Sequence, residues 1–249
     1  MNSISDIKHT AYINMLSRPD RKEHVEKQLN GLGIKPTRFN AISLTNGALG
    51  CSMSHLKCLE TAKKNNWSHI MIVEDDILFI NPELFTTQLN KFLSTHKKWD
   101  VIIIGGNNVA QYKPIDDSCV KITACQTTTG YIVNGHYLQT LIDNFRNGIS
   151  NLLKFPHLHV LYAIDKYWFH LQQKDNWYLI IPLSVTQRAD YSDIQKLYTN
   201  YTKAMIDLDK PQLQLQSPLQ TLFPQNKSSS IINTSLKPTP KVKPMKMHV

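Results

Sequence analysis

Two short segments without a polar residue, Ile70-Met71-Ile72-Val73 and Val101-Ile102-Ile103-Ile104, each lie between stretches of helical periodicity. A strand with one face in water alternates apolar and polar residues, so an unbroken apolar strand implies a sheet covered on both faces. The helices on either side supply the covers, which points to a layered α/β fold.

The periodicity elsewhere agrees. Tyr12 to Leu16 is predicted as a first strand and Pro19 to Leu32 as a helix, with proline near its start and Gly31 or Gly33 near its end. Arg38 to Ile42 follows as a short strand, Ser52 to Asn65 as a second helix and Pro82 to His96 as a third. The strand from Trp99 is expected to stop at Gly105-Gly106, and the chain to run irregularly from Asn107 until a strand at Gly130 to Val133. A helix from Gly135 or His136 to about Phe145, a helical stretch from Val160 to Gln173 and a strand from Tyr178 to Ile181 complete the expected folded part.

A chain of 249 residues can bury one substantial core, so one main domain, residues 1–208, is expected. Proline, glutamine, serine and lysine dominate beyond it, and residues 209–249 read as a flexible tail. The formal net charge of +9 has the look of a nucleic-acid signal, but five of the lysines follow Pro211 with no acidic residue among them. The remainder is mildly basic and has no basic helix interleaved with aromatics, so nucleic acid is not an expected partner. Membrane contact is expected to be at most peripheral, through that basic tail.

No apolar run approaches the roughly 20 residues of a membrane span. The first eight residues show neither a basic segment leading into an apolar one nor a small-residue cleavage site, so a cytoplasmic location is expected. Cys51, Cys58, Cys119 and Cys125 show no CxxC spacing and no paired histidines nearby; reduced thiols are expected rather than zinc ligands or disulfides.

Chemistry concentrates where the apolar strand Ile70 to Val73 runs into Glu74-Asp75-Asp76. Three crowded carboxylates call for a divalent metal or an arginine, although acids after a strand also serve as turn formers and helix caps. Strand alternation would put Glu74 and Asp76 on one side, as the metal-facing pair, and Asp75 on the other. Asn14 ends the first strand, and Arg18 and Arg21 follow at a helix start, where arginines and free amides suit phosphate. Ser52, Ser54 and His55 sit where a loop becomes a helix, as caps, core residues or ligands. Asp165, among apolar and aromatic neighbours, suits a general base, with a lysine salt bridge as the plain alternative. Gln187, Ser192 and Asp193 are polar groups after the last strand.

Taken in order, these pieces resemble glycosyltransferase family 25. The resemblance runs over residues 10–195 and is carried by Tyr12-Ile13-Asn14 with Arg18 and Arg21, Gln28-Leu29, Phe39-Asn40-Ala41, Gly50-Cys51-Ser52-Met53-Ser54-His55, Val73-Glu74-Asp75-Asp76, Thr129 to Val133, Asp165, Gln187 and Ser192-Asp193-Ile194. It implies a GT-A-like fold, a Rossmann-type mixed sheet flanked by helices, and an inverting transfer of galactose or glucose from a UDP-sugar. The acidic triplet then takes the place of a DxD motif, with Glu74 and Asp76 holding Mn²⁺ or Mg²⁺ against the donor diphosphate. Asn14, Arg18, Arg21, Ser54, His55, Asp75 and Gln187 become donor-binding candidates. Asp165 is the expected base, with Asp193 in reserve. The implied acceptor is a hydroxyl of a glycan, a lipid-linked glycan such as a lipopolysaccharide precursor, or a glycoprotein. A metal-dependent nucleotidyl or phosphoryl enzyme, or a sugar-binding module without turnover, are the competing readings.

Overall fold

A computed structural model of the chain describes residues 1–210; of the tail expected over 209–249, all but the first two residues lie outside the described residues. In chain order the elements are β1 (Thr10–Asn14), α1 (Pro19–Gly31), β2 (Thr37–Asn40), α2 (Gly47–Lys64), β3 (His69–Glu74), β4 (Ile77–Phe79), α3 (Pro82–Thr95), β5 (Val101–Asn108), β6 (Lys113–Pro114), β7 (Cys119–Lys121) and β8 (Cys125–Asn134). They continue with α4 (Leu138–Lys154), α5 (His159–Tyr162), α6 (Ile164–Tyr167), α7 (Phe169–Lys174), β9 (Trp177–Ile180), β10 (Val185–Gln187), β11 (Asp190–Ser192), β12 (Leu197–Thr199) and α8 (Thr202–Ile206).

Eight strands form one mixed sheet in the order β2-β1-β3-β8-β5-β9-β7-β6. β1 runs parallel to both β2 and β3, whereas β8 is inserted antiparallel between β3 and β5. β10 pairs with β4 and β11 with β12 in two small ribbons.

The unbroken apolar strands are covered on both sides, and alternation sorts their residues. Met71 and Val73 of β3, Ile102 and Ile104 of β5 and Ile132 of β8 join Val25 and Leu29 of α1 and Phe85, Leu89, Phe92 and Leu93 of α3 in one cluster. The intervening residues Ile70, Ile72, Val101, Ile103, Tyr131 and Val133 are equally buried on the opposite face. There α2 packs along α4, and Tyr131 and Phe145 meet Trp168. No helix among the described residues is long and apolar enough to cross a membrane.

The structure departs from the sequence expectations in several places. β5 continues through Gly105-Gly106 to Asn108. A Cβ on Gly106 would stand 2.6 Å from Cys125 Sγ, so the glycines admit a close neighbour, and the register shifts there without ending the strand. The stretch after Asn107, expected to be irregular, holds β6, β7 and a β8 that begins at Cys125. α4 runs on to Lys154 because Ile149 and Leu152 extend its buried face. The helix expected over Val160 to Gln173 is broken into three, since Ile164 and Trp168 are buried while His159–Tyr162 stay at the surface, and Ala163 turns the chain at ψ 141°. Beyond β9 the fold continues with β10 to α8.

Candidate functional site

The acidic run lies at the carboxyl ends of the parallel strands β1 and β3, where ligands bind in open α/β sheets. Glu74 is the last residue of β3, and Asp75-Asp76 form the turn into β4. Alternation holds for the first two acids. Glu74 turns to the α2 side and Asp75 to the α1 side; Asp76, already in the turn, shares Arg21 with Asp75.

Asp75 accepts from Asn14 Nδ2 at 2.7 Å and Arg21 Nη1 at 3.0 Å. Asn14 is itself held by Arg38 Nε, 2.9 Å from its Oδ1. Burial raises the Asp75 carboxyl above its ordinary value, against the pull of Arg21 and Asn14. Asp76 meets the same Arg21 Nη1 at 3.1 Å with Oδ2, while its Oδ1 is buried with no hydrogen-bond partner. Burial, reinforced by the charge of Glu74, pushes the Asp76 carboxyl up to about 8. A buried oxygen without a partner beside two further carboxylates is a place that lacks positive charge.

Glu74 has a fuller shell. Thr128 Oγ1 donates to Oε1 at 2.6 Å and Gln187 Nε2 to Oε2 at 3.0 Å. His55 Nε2 stands 3.4 Å and Cys51 Sγ 3.8 Å from Oε1. Burial works to raise this carboxyl, but His55, Thr128 and Gln187 together hold it below its ordinary value. The Cys51 thiol is pushed well above its usual range by burial and by the charges of Glu74 and Asp165.

Cys51 and His55 face Glu74 because α2 begins early. It starts at Gly47, capped by the Asn46 side chain on Leu49 N at 3.1 Å, rather than at Ser52. A Cβ on Gly50 would meet Ile42 O at 2.4 Å, so only glycine lets this first turn lie against the β2–α2 loop. Ser54 locks the same contact: its hydroxyl donates to Gly50 O and accepts from Ile42 N, both at 2.8 Å, which spends it within the fold and away from the acids.

Asp165 Oδ2 accepts from Thr127 N at 3.2 Å, and Lys166 Nζ lies 3.8 Å away. Thr127 has φ +72°, a left-handed conformation that strains a β-branched residue by roughly 1–3 kcal/mol. That strained residue aims its amide at Asp165, while its neighbour Thr128 holds Glu74.

Arg18 is bound by acids. It meets Asp190 Oδ2 and Asp193 Oδ2 at 2.7 Å each and Asp20 at 3.1 Å. Arg21 Nε and Arg188 reach the same Asp190 at 3.1 and 2.6 Å. The β11–β12 ribbon is thus stapled to the start of α1, beside Asp75 and Asp76.

The structure therefore joins Asn14, Arg21, Asp75 and Asp76 in one group, Glu74, His55 and Gln187 in a second, and Arg18 with Asp193 in a third; Ser54 stands apart. Sequence reading missed Thr128, Arg38, Arg188 and Asp190. Arg188 and Asp190 lie in the polar stretch singled out around Gln187, but Thr128 and Arg38 carry no local signal.

The model of glycosyltransferase family 25 (LPS biosynthesis protein) matches residues 43–167, which span α2, the acidic run, β8 and Asp165. The chain belongs to glycosyltransferase family 25. Glycosyl transfer is the chemistry of that family, and the GT-A-like arrangement expected from the ordered motifs is observed as a mixed sheet between helical layers. Procollagen galactosyltransferase 1 of Danio rerio is 22% identical over 264 residues, covering 84% of this chain and 43% of that protein. The chain thus spans less than half the length of this family relative. Among solved structures, similarity extends to a glycosyltransferase involved in the glycosylation of the major capsid of PBCV-1, with TM-score 0.39 and 10% identity over 80% of this chain and 90% of that one. A Drosophila beta-1,4-galactosyltransferase 7 mutant in complex with manganese, UDP-Gal and xylobiose aligns with TM-score 0.38 and 9% identity over 89% of this chain and 81% of that one.

Proposed function

We propose that this family 25 enzyme is a metal-dependent, inverting transferase that moves a hexose, galactose or glucose, from a UDP-sugar to a hydroxyl of a glycan, lipid-linked glycan or glycoprotein. The observation that carries this reading is Asp76 Oδ1, buried without a partner on a carboxyl that shares Arg21 with Asp75 and feels the charge of Glu74. The open Asp76 Oδ1 suits a divalent cation, which Asp76 would hold together with Glu74, while Arg21 ties Asp76 to Asp75. Bound Mn²⁺ or Mg²⁺ supplies Lewis-acid neutralisation of the leaving diphosphate.

The chain's own residues do the rest. Asn14 and Arg38 fix Asp75, so the acidic turn is set before donor arrives. Arg18 and Arg21, now occupied by carboxylates, are placed to turn to the diphosphate, which offers the same oxygen geometry. Asp165 accepts the proton of the attacking acceptor hydroxyl, held by the Thr127 amide. Asp193, tied to Arg18, is better suited to holding the ribbon than to proton transfer. Gln187 positions Glu74, and the galactosyltransferase name of the relative supports a hexose donor.

Incubation with a panel of UDP-, GDP- and CMP-sugars and Mn²⁺, followed by NMR, tests the reading. Release of UDP with transfer to the β-anomer from an α-linked donor is expected, and its loss in Asp76→Asn. Full transfer by a folded Asp76→Asn protein, or pyrophosphate release, would reject it.

A further inference from the structure

The face of Glu74 turned to α2 holds a second group of ligand-type atoms. Cys51 and His55 are one helical turn apart on α2, so their side chains lie on the same face. Cys51 Sγ, a ring nitrogen of His55 and a Glu74 oxygen all lie within 4.8 Å of one another.

Ordinary packing accounts for only half of the His55 ring. Nδ1 meets the Tyr131 hydroxyl at 2.9 Å. Nε2, on a side chain with 0% exposure, has no hydrogen-bond partner and points at Glu74 Oε1 from 3.4 Å, beyond the roughly 2.7–3.2 Å of a good N–H···O bond. A histidine whose one nitrogen is oriented by a polar partner while the other is left open is the arrangement of a metal ligand.

The spacing agrees. With bonds of about 2.0–2.1 Å to nitrogen and oxygen and about 2.3 Å to sulfur, a tetrahedral ion sets its N···O edge near 3.3 Å and its S···O edge near 3.6 Å. The observed separations are 3.4 Å for His55–Glu74 and 3.8 Å for Cys51–Glu74. Thiolate, imidazole and carboxylate together favour a borderline ion over Mg²⁺ or Mn²⁺. Cysteine spacing alone predicts no such site because the third ligand comes from β3.

We propose that Cys51, His55 and Glu74 form a binding site for a thiophilic divalent cation of the Zn²⁺ class, adjoining the site of the donor metal and sharing Glu74 with it. Three protein ligands leave the fourth position to water. Because Glu74 is shared, zinc bound here withdraws a carboxylate from Asp76, so the site is inhibitory; this consequence, unlike the binding itself, rests on the transferase reading above.

A second trio, His96, Asp116 and Cys119, serves as a built-in control. There Asp116 Oδ1 already accepts from Ser118 N, Ser118 Oγ and Cys119 N, and Oδ2 faces His96 Nε2 at 2.7 Å, so both carboxylate oxygens and the facing imidazole nitrogen are already engaged.

The test uses the full chain, stripped with chelator and titrated with Co²⁺ as a spectroscopic stand-in for Zn²⁺. One equivalent should bind with a sulfur-to-cobalt charge-transfer band that Zn²⁺ abolishes. Cys51→Ser should remove the band, His55→Ala should weaken binding by roughly 10–100-fold or more, and Cys119→Ser should leave the band in place, each in a protein with unchanged circular dichroism. Absence of the band, its survival in Cys51→Ser, or its loss in Cys119→Ser would overturn the site. Zn²⁺ inhibition of Mn²⁺-supported transfer is read separately, so a chain without transferase activity but with the cobalt–thiolate band keeps the site and rejects the function.

Discussion

At the scale of single residues, Asp76 is where stability and the proposed metal-holding role pull in opposite directions. An acid with a buried, unpartnered oxygen beside two other carboxylates opposes folding, and such a group persists where function requires it. Asp76→Asn replaces an acid that is ionised in the unfolded chain but that burial holds largely protonated in the folded one, so at neutral pH it should raise the midpoint of urea unfolding, a gain of about 1 kcal/mol, while ending transfer. A midpoint that falls would mean that Arg21 compensates Asp76 fully. Asp165→Asn should leave donor affinity intact and lower kcat by roughly 10²–10⁴, as measured in single-turnover transfer. That the acids end the apolar strand was legible in the sequence, although a run of carboxylates there suits a turn as well as a ligand. Their partners were not. Glu74 is held by residues 128 and 187, with His55 facing it, and nothing in local periodicity tells a threonine in a strand from one that will face a carboxylate.

At the scale of elements, the β11–β12 ribbon is fixed by charge more than by packing, since Tyr198, Ile194 and Leu197 are exposed. Its anchor, Asp190, has its carboxyl held well below the ordinary range: burial pulls it upward, but Arg188, the Tyr191 amide and Arg21 outweigh burial. A depressed carboxylate stabilises the folded form above the unfolded value near 4, and that contribution is lost as pH falls through the lower folded value. The protection factors of the 190–199 amides, measured against intrinsic exchange at each pH, should therefore stay high above about pH 5 and fall in strong acid; 1 M salt should lower them at neutral pH as well, by screening the exposed members of the network. The start of α2 makes a different prediction. Gly50→Ala places a Cβ on Ile42 O, so the first turn must shift, destabilising the fold by roughly 1–3 kcal/mol, readable in thermal unfolding. Sequence reading began α2 five residues late, because Gly47 and Gly50 depress helix propensity; close packing, which a sequence does not display, is what selects them.

At the scale of the whole molecule, the layered α/β class followed from the two unbroken apolar strands, and each is indeed buried on both faces. Strand direction was not legible. An apolar run reads the same whether its neighbour is parallel or antiparallel, so the insertion of β8 between β3 and β5 emerges only from the pairing. The described part of the chain ends two residues into the expected tail, and the ribbons that follow β9 are too short to carry a period.

Because β8 belongs to neither neighbour in sequence, the pocket has an order of assembly. Tyr131 orients His55, Thr128 holds Glu74 and Thr127 meets Asp165, and Gln187 closes the set from 113 residues beyond Glu74. Such distant pairings form slowly compared with helices. On refolding from urea, circular dichroism should recover before donor turnover does, and equal rates would contradict this order. A ribosome-bound chain would then carry its acids and helices well before the partners that hold them, so on the transferase reading the growing chain stays silent until β10 has docked.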